Sequence, residues 1–276
     1  NLFGPRSCEI HGIKTFNGAK ADDVILKTAS VIINTKSPLA SVFDDVIIGK
    51  QAILPEVDDI VYEDRLGTTG WIYRKKILVG TRELLIHHGV PVLKEDFEKK
   101  YTRKGRKVLY LAEAGKLMAM FVVSYSADPQ LKKALRKLEK SGMTILVRSA
   151  DPFINDESIA ELFELPDGYI RVMNSSNGRA FEKYSNLFAQ KSPAYIVHNG
   201  SALGLVSAFS AAEDLQETRK LISVLISFGS ALGLGVVGLL AFVGGIDQLD
   251  AIKVALFQAA WCIFVNLLAK IKSLFM

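Results

Sequence analysis

Cysteine is scarce in this chain of 276 residues, which contains only Cys8 and Cys262. The first lies in a mixed polar segment and the second in a long apolar one. A disulfide scaffold needs several paired cysteines, and a structural zinc site needs clustered ligands. The sequence therefore predicts two buried or free thiols and no metal site.

The chain also lacks an apolar leader and a strong net charge. Residues 1–6 are too short and too polar to resemble a signal peptide, and the first residue is Asn rather than Met, as in a fragment or a processed chain. The formal net charge of +5 is modest. The basic residues between 132 and 140 fit a solvated helix face, so we predict no nucleic-acid partner.

Charged residues are missing altogether from residues 221–246, a run of 26 positions. That run exceeds the roughly 20 residues that cross the apolar core of a bilayer. Residues 254–269 form a second uncharged run. We therefore predict a transmembrane hairpin with spans at about 221–246 and 251–269, and a lipid bilayer as its partner. The alternative is a buried helix pair of a large soluble domain.

Positive residues flank this hairpin at both outer ends. Arg219 and Lys220 precede the first span, and Lys270 and Lys272 follow the second. Lys and Arg favour the cytoplasmic side of a membrane. We therefore expect a plasma-membrane protein whose soluble domains and hairpin ends are cytoplasmic.

Gly229 and Gly233 have the GxxxG spacing that permits close packing of membrane helices. This spacing favours contact with further transmembrane helices, located upstream or on a partner transporter. The alternative is that the glycines only reflect the general abundance of glycine in membrane helices.

Residues 116–165 alternate between strand-like and helix-like patterns. The apolar runs 117–123 and 143–147 predict strands, and Asp128 is placed to cap the helix between them. Parallel strands need such crossover connections, and ligands bind at the carboxyl ends of parallel strands. We expect a β-α-β-α unit of a parallel sheet, with Asp151 at its ligand-binding edge.

Other segments extend this picture on both sides. Residues 60–79 read as a meander of short strands around a glycine loop at 67–70. Residues 169–173 and 194–197 predict further parallel strands, with a helix at 179–189 between them.

Short motifs along the chain resemble the heavy-metal-transporting branch of the P-type ATPases. Residues 29–40 look like that family's stretch through its SEHPLA motif, and residues 67–80 look like its GxG segment. Residues 149–151 are similar to TGD, 197–200 to VGDG, and 265–268 to a late LNAL segment. The order and spacing of these motifs carry the resemblance over nearly the whole chain.

The resemblance implies the fold class and the domain order. The fold would be α/β, with a HAD-like doubly wound parallel sheet and an inserted α+β nucleotide-binding-type domain, followed by a C-terminal transmembrane helical hairpin. The phosphorylation-type domain would comprise residues 1–15 and 104–214. The inserted domain would comprise residues 16–103, and the hairpin residues 215–276.

The catalytic motifs of the family are degenerate in this chain. The family transfers a phosphoryl group from ATP to the Asp of DKTGT with the help of Mg²⁺. By position, that motif should fall in residues 10–16, which contain no carboxylate. Asn199 stands where the family has an Asp of its third motif. The resemblance leaves Ser149, Asp151, Lys183 and Asn199 as remnant catalytic residues.

The resemblance also implies a nucleotide pocket at Ser37, Pro38, Gly67, Gly70 and Gly80. Ser37 replaces the histidine of the family motif, so the pocket is eroded. ATP and Mg²⁺ are expected as ligands only if residual binding survives, and no other cofactor is expected.

We therefore expect a membrane-anchored, P-type-ATPase-like protein that is catalytically inactive and has a regulatory or scaffolding role. The alternative is a fragment of a heavy-metal cation transporter that couples ATP hydrolysis to ion transport. A soluble phosphatase-like hydrolase is a third class, but the missing nucleophile and the hairpin argue against it.

Overall fold

The computed structural model describes residues 2–4, 7–35, 37–174, 178, 180–181, 183, 196–197 and 199–274. The chain divides into two compact units, Asn1–Val206 and Ser207–Met276. The first unit contains two sheets, and the second is helical.

The larger sheet of the first unit is antiparallel throughout, with the strand order β1-β6-β5-β4-β3-β2. Its strands are β1 (Cys8–Thr15), β2 (Asp58–Glu63), β3 (Gly67–Ile72), β4 (Lys75–Gly80), β5 (Lys107–Glu113) and β6 (Lys116–Tyr125). The β5–β6 turn consists of Ala114 and Gly115, which both have positive φ, 47° and 78°. Such a two-residue turn matches the twist of the two strands and forces them to run antiparallel.

Helices cover both faces of this sheet. Helices α1 (Ala21–Ile32) and α2 (Pro38–Val46) pack on one face around a core that includes Phe43 and Phe121. Helices α3 (Arg82–His87) and α4 (Glu95–Lys99) pack on the other face, where Met120 of β6 is buried.

The smaller sheet contains two parallel strands, β7 (Ile145–Arg148) and β8 (Ile170–Met173). Helices α5 (Pro129–Glu139) and α6 (Asp156–Phe163) share a core with these strands. The side chain of Asp128 caps α5, which confirms the predicted cap, and the side chain of Asn155 caps α6.

The predicted β-α-β-α unit is wrong in one respect. Its first strand, β6, pairs antiparallel with β1 and β5 rather than parallel with β7. Helix α5 therefore connects two different sheets.

The antiparallel sheet also crosses the domain boundaries that we drew at residues 15 and 104. Strands β1, β5 and β6 come from segments assigned to the phosphorylation-type domain, yet they are hydrogen-bonded into one sheet with β2–β4. Residues 8–125 thus form one structural group. The predicted loop at 67–70 is likewise part of strand β3.

Some predicted elements lie largely outside the described residues. These are the strand at 194–197, most of the helix at 179–189, and His198. The wider extent of the parallel sheet, and with it the HAD-like topology, stays a prediction, while the mixed α/β character is observed.

The second unit contains most of α7 (Ala202–Phe242) and all of α8 (Ala251–Leu274). Both helices are long and apolar enough to cross a membrane. Helix α7 ends at Phe242, four residues before the predicted end of the span, and Gly244 with φ 72° reverses the chain.

Gly229 and Gly233 pack inside this hairpin. A Cβ on Gly229 would lie 2.1 Å from Nε1 of Trp261, and one on Gly233 would lie 3.4 Å from Phe257. Trp261 donates a 3.0 Å hydrogen bond to the carbonyl oxygen of Leu225. The small residues of α7 therefore make room for aromatic side chains of α8.

Candidate functional site

A cleft of about 1340 Å³ in the first unit brings together residues that the sequence predicted separately. Ser37 and Pro38, at the start of α2, line it together with Ser149 and Asp151 of the loop after β7. Ser201, which directly precedes α7, also lines it. The predicted nucleotide residues at α2 and the predicted catalytic loop therefore face the same cavity.

Asp151 is the most enclosed polar residue of this cleft, with 4% of its surface exposed. The hydroxyl of Tyr125 lies 2.9 Å from both carboxylate oxygens and donates a hydrogen bond shared between them. The backbone N–H of Phe153 donates to Oδ1 at 3.0 Å. The Oγ of Ser149 accepts from the backbone N–H of Asp151 at 3.1 Å, so Ser149 shapes the loop.

Burial raises the pKa of Asp151 to about 6. The N–H of Phe153, the hydroxyl of Tyr125 and the backbone N–H of Leu39 in α2 oppose this shift without cancelling it. Burial and the nearby Asp151 carboxylate also raise the pKa of Tyr125 well above its ordinary value. The Cys8 thiol, close to the same group, has a pKa raised to about 12 by burial and is an inert thiol at neutral pH.

Sequence reasoning missed Tyr125 as part of this site. It ends the apolar strand β6 and precedes Asp151 by 26 residues, so no local pattern links the two. One signal was available in the sequence. Tyr125 is a polar aromatic residue at the end of a buried strand, and this position places its hydroxyl at the edge of the sheet.

Ser37 has a local structural role at the start of α2. Its Oγ accepts from the backbone N–H of Ala40 at 3.3 Å and from the hydroxyl of Thr35 at 2.9 Å. Ser37 is therefore the N-cap of the helix, and Pro38 occupies the first helical position, where a missing N–H costs nothing.

The three predicted glycines do not line the cleft. Gly67 and Gly80 pair across β3 and β4, and a Cβ on Gly80 would lie 2.2 Å from the carbonyl oxygen of Leu66. A Cβ on Gly70 would lie 2.7 Å from Val57. In this structure Gly67 and Gly80 permit a close approach of the β3 and β4 backbones, and Gly70 leaves room for the Val57 side chain.

Asn199 and Lys183 are both exposed. The Oδ1 of Asn199 accepts from the backbone N–H of Ser201 at 3.1 Å and from its hydroxyl at 2.6 Å. Asn199 therefore organises the turn that leads into α7. Most residues around Lys183 lie outside the described part of the chain.

The donor set around Asp151 does not fit Mg²⁺. This cation prefers several oxygen ligands of which one or two are carboxylates. In the described loops that follow β7 and β8, Asp151 is the one carboxylate, and Tyr125 and Phe153 already engage it. No group of three or more His, Cys, Asp or Glu side chains placed to hold a metal occurs among the described residues.

No protein-family model matches this chain. The chain is 23% identical over 176 residues to Copper-transporting ATPase 2 of Rhizobium meliloti (strain 1021). This match confirms the resemblance to heavy-metal P-type ATPases. It covers 63% of this chain and 21% of that protein, so the chain spans about a fifth of the length of its relative.

Solved structures of the heavy-metal P-type ATPases show weaker overall similarity. A zinc-transporting PIB-type ATPase in the E2.Pi state has a TM-score of 0.43 at 12% identity, covering 95% of this chain and 47% of that chain. The N-domain of HMA8, a copper-transporting P-type ATPase, has a TM-score of 0.34 at 18% identity, covering 42% of this chain and 98% of that chain.

The position that we matched to the DKTGT motif of these ATPases needs correction. Residues 10–15 lie in β1 and pair along β6 in the antiparallel sheet, whereas Asp151 follows a strand of the parallel sheet. The part of the chain start that lines the cleft is residues 2–4. The lack of a carboxylate in residues 10–16 therefore does not decide whether a nucleophile reaches this cleft.

Proposed function

We propose that this chain belongs to a membrane-anchored, P-type-ATPase-like protein that does not catalyse phosphoryl transfer and that regulates or scaffolds a transporter. The observation that carries the proposal is the state of Asp151. Its carboxylate is buried and hydrogen-bonded by Tyr125 and by the Phe153 N–H. A carboxylate in this state is poorly placed to serve a phosphate or a metal ion.

The charge requirement of the reaction supports this proposal. Phosphoryl transfer depends on positioning and on neutralising the negative charge of the transferred group and its oxygens. Mg²⁺ does this when carboxylates hold it. Asn199 offers a neutral amide where the resemblance calls for a carboxylate, and its oxygen is already bonded to Ser201. We therefore expect that the protein does not hold Mg²⁺ in this way and has lost the rate of phosphoryl transfer that depends on it.

A phosphoenzyme assay on the purified full-length protein tests this proposal. Incubated with radiolabelled ATP and Mg²⁺, the protein should form no acid-stable, hydroxylamine-sensitive phosphoenzyme. The variant Asp151→Asn should be indistinguishable from the wild type. Any such phosphoenzyme in the wild type would overturn the proposal, and its loss in Asp151→Asn would show that Asp151 takes part in the reaction.

The second candidate is a heavy-metal cation transporter of which this chain is a part. Two observations favour it. The chain is similar to a protein described as a copper-transporting ATPase, and residues 2–4 line the cleft that holds Asp151. Residues upstream could therefore reach the same cavity in a longer protein.

Metal-stimulated ATP hydrolysis distinguishes the two candidates. The full-length protein, reconstituted in lipid vesicles, is supplied with ATP, Mg²⁺ and either Cu⁺ or Zn²⁺. The inactive module should show no metal-dependent release of phosphate. Hydrolysis that rises with one of these metals and falls in Asp151→Asn would support the transporter.

A further inference from the structure

The first unit consists of two groups of elements that share few contacts. The antiparallel half comprises β1–β6 and α1–α4, within the described part of residues 8–125, and the parallel half comprises α5, α6, β7 and β8, within the described part of residues 126–206. Among the described elements, no helix or strand of one half packs extensively along an element of the other. The cleft lies between the halves, since Ser37 and Glu63 line it from one side and Ser149 and Met173 from the other.

Tyr125 bridges the two halves through its ring. It packs against the core under α1 and α2 and also against the core around the parallel strands. Its ring centroid lies 6.3 Å from that of Phe3 and 6.2 Å from that of Phe153. Phe153, in the loop after β7, itself packs against the core of the antiparallel half.

The polar part of this junction is the Tyr125–Asp151 pair. Asp151 lies in the parallel half, and the hydroxyl of Tyr125 that donates to its carboxylate lies in the antiparallel half, at the end of β6. A hydrogen bond to an ionised acceptor is stronger than one between neutral groups.

We propose that Tyr125 and Asp151 form a clasp that fixes the orientation of the two halves and thereby sets the width of the cleft. This inference is independent of whether Asp151 takes part in any reaction. With the clasp closed, the Asp151 carboxylate is held by the Tyr125 hydroxyl of the antiparallel half and is almost fully buried. With the clasp released, the halves remain joined by the aromatic contacts and by the chain itself at residues 126–127.

Distance measurements between the halves test the clasp. The full chain carries Cys262→Ser, and spin labels are attached at Lys99→Cys on α4 and Lys133→Cys on α5, two exposed positions. Cys8 is 3% exposed and should remain unlabelled. With the wild-type clasp, we expect pulsed electron paramagnetic resonance to give one narrow distribution of the distance between the two labels. Tyr125→Phe keeps the ring but removes the hydroxyl, and it should at least double the width of the distribution.

Tyr169→Phe is the matched control. The Tyr169 hydroxyl donates a 3.2 Å hydrogen bond to the carbonyl oxygen of Leu135, which lies in the same half. This variant loses a tyrosine hydrogen bond within one half, and it should keep the narrow distribution. Equal widths in Tyr125→Phe and Tyr169→Phe would overturn the proposal.

A second substitution keeps the test decisive if Tyr125→Phe reduces folding, as judged by near-ultraviolet circular dichroism. Asp151→Ala removes the acceptor instead of the donor and should broaden the distribution at least as much. The double variant should be no broader than Asp151→Ala, because without the carboxylate the Tyr125 hydroxyl has no bond across the halves left to lose. Additive broadening, or a narrow distribution in folded Asp151→Ala, would contradict the clasp.

Discussion

At the residue scale, the contribution of Asp151 to the stability of the fold depends on pH. Burial raises its folded-state pKa from 3.8 to about 6. A group whose pKa rises on folding stabilises the fold fully below its unfolded pKa, and this stabilisation is lost as the pH rises through the folded pKa. Asp151 therefore favours the folded state near pH 4 and disfavours it above about pH 6.

We expect Asp151→Asn to remove this dependence. The free energy of unfolding of the variant minus that of the wild type should be larger at pH 7.5 than at pH 4 by roughly 2 kcal/mol, because the wild type loses stability as the buried carboxyl ionises. Thermal unfolding of the detergent-solubilised full chain across this range measures the difference. Asp128→Asn replaces an exposed carboxylate and serves as the control for the substitution itself. A difference that stays constant with pH would contradict the shifted pKa.

Gly80 shows how a residue predicted from a motif can have a packing role. An alanine Cβ there would lie 2.2 Å from the Leu66 carbonyl oxygen and 2.8 Å from the Gly67 Cα. Backbone atoms cannot yield as a side-chain tip can, so we expect Gly80→Ala to cost about 1–3 kcal/mol. The measurement is the midpoint of thermal unfolding.

Gly12→Ala is the control for Gly80→Ala. Gly12 also lies in a strand of the antiparallel sheet, but a Cβ there would meet no atom within 4 Å. Its unfolding midpoint should stay close to that of the wild type. If both variants unfold alike, the close approach at Gly80 is not what requires glycine.

At the element scale, β6 explains why the sequence predicted the right strand in the wrong sheet. Met120 and Val122 face the core under α3, while Phe121 and Val123 face the core under α1 and α2. A central strand covered by helices on both faces has the same continuous apolar run as a strand of a parallel sheet. Periodicity therefore located β6 but could not identify its partners.

Local signals were more reliable than pairing. The caps of α5 and α6 depend on side chains within three residues of the helix start, and both were predictable. The glycines at 67 and 70 were predicted in a loop because glycine weakens strands in general. The structure places both in β3, where Gly67 lies close to the backbone of β4 and Gly70 leaves room for the side chain of Val57.

The pairing of α7 with α8 gives a prediction at the same scale. Gly229→Ala should displace the Trp261 indole and break its hydrogen bond to Leu225, since the new Cβ would lie 2.1 Å from Nε1. In a Trp71→Phe background, Trp261 is the remaining tryptophan. Its quenching by brominated lipids should increase as the ring moves into the bilayer.

Gly235→Ala is the matched control on the same helix. A Cβ at Gly235 would meet no atom within 4 Å, so Trp261 should be quenched as in the wild type. Equal quenching in the two variants would show that Gly229 does not hold the ring in place.

At the scale of the whole molecule, the candidate cleft depends on contacts that are distant in sequence. Tyr125 and Asp151 are separated by 26 residues, and Leu39 lies farther still. The motif resemblance identified Ser37 and Asp151 one by one, but their common cavity follows from how residues 8–125 pack. The sequence did not predict this packing. The domain boundaries that we drew at residues 15 and 104 divide strands that belong to a single antiparallel sheet.

The two apolar helices carry the last prediction, the orientation of the hairpin. Arg219 and Lys220 lie at one end of the apolar part of α7, and Asp247 and Asp250 follow at the other. Nζ of Lys272 lies 3.3 Å from Glu217, so the two outer ends of the hairpin lie side by side. Because basic residues favour the cytoplasm, we expect the acidic turn to be outside.

Cysteine labelling in intact cells checks this orientation. In a Cys262→Ser background, Gln248→Cys in the turn should react with a membrane-impermeant maleimide. Gln216→Cys, before the apolar part of α7, should react only after the membrane is permeabilised. Both substitutions replace an exposed neutral residue, so neither alters the charge pattern that sets the orientation. Labelling of Gln216→Cys alone in intact cells would reverse the orientation, and labelling of both would show that α7 does not cross the membrane.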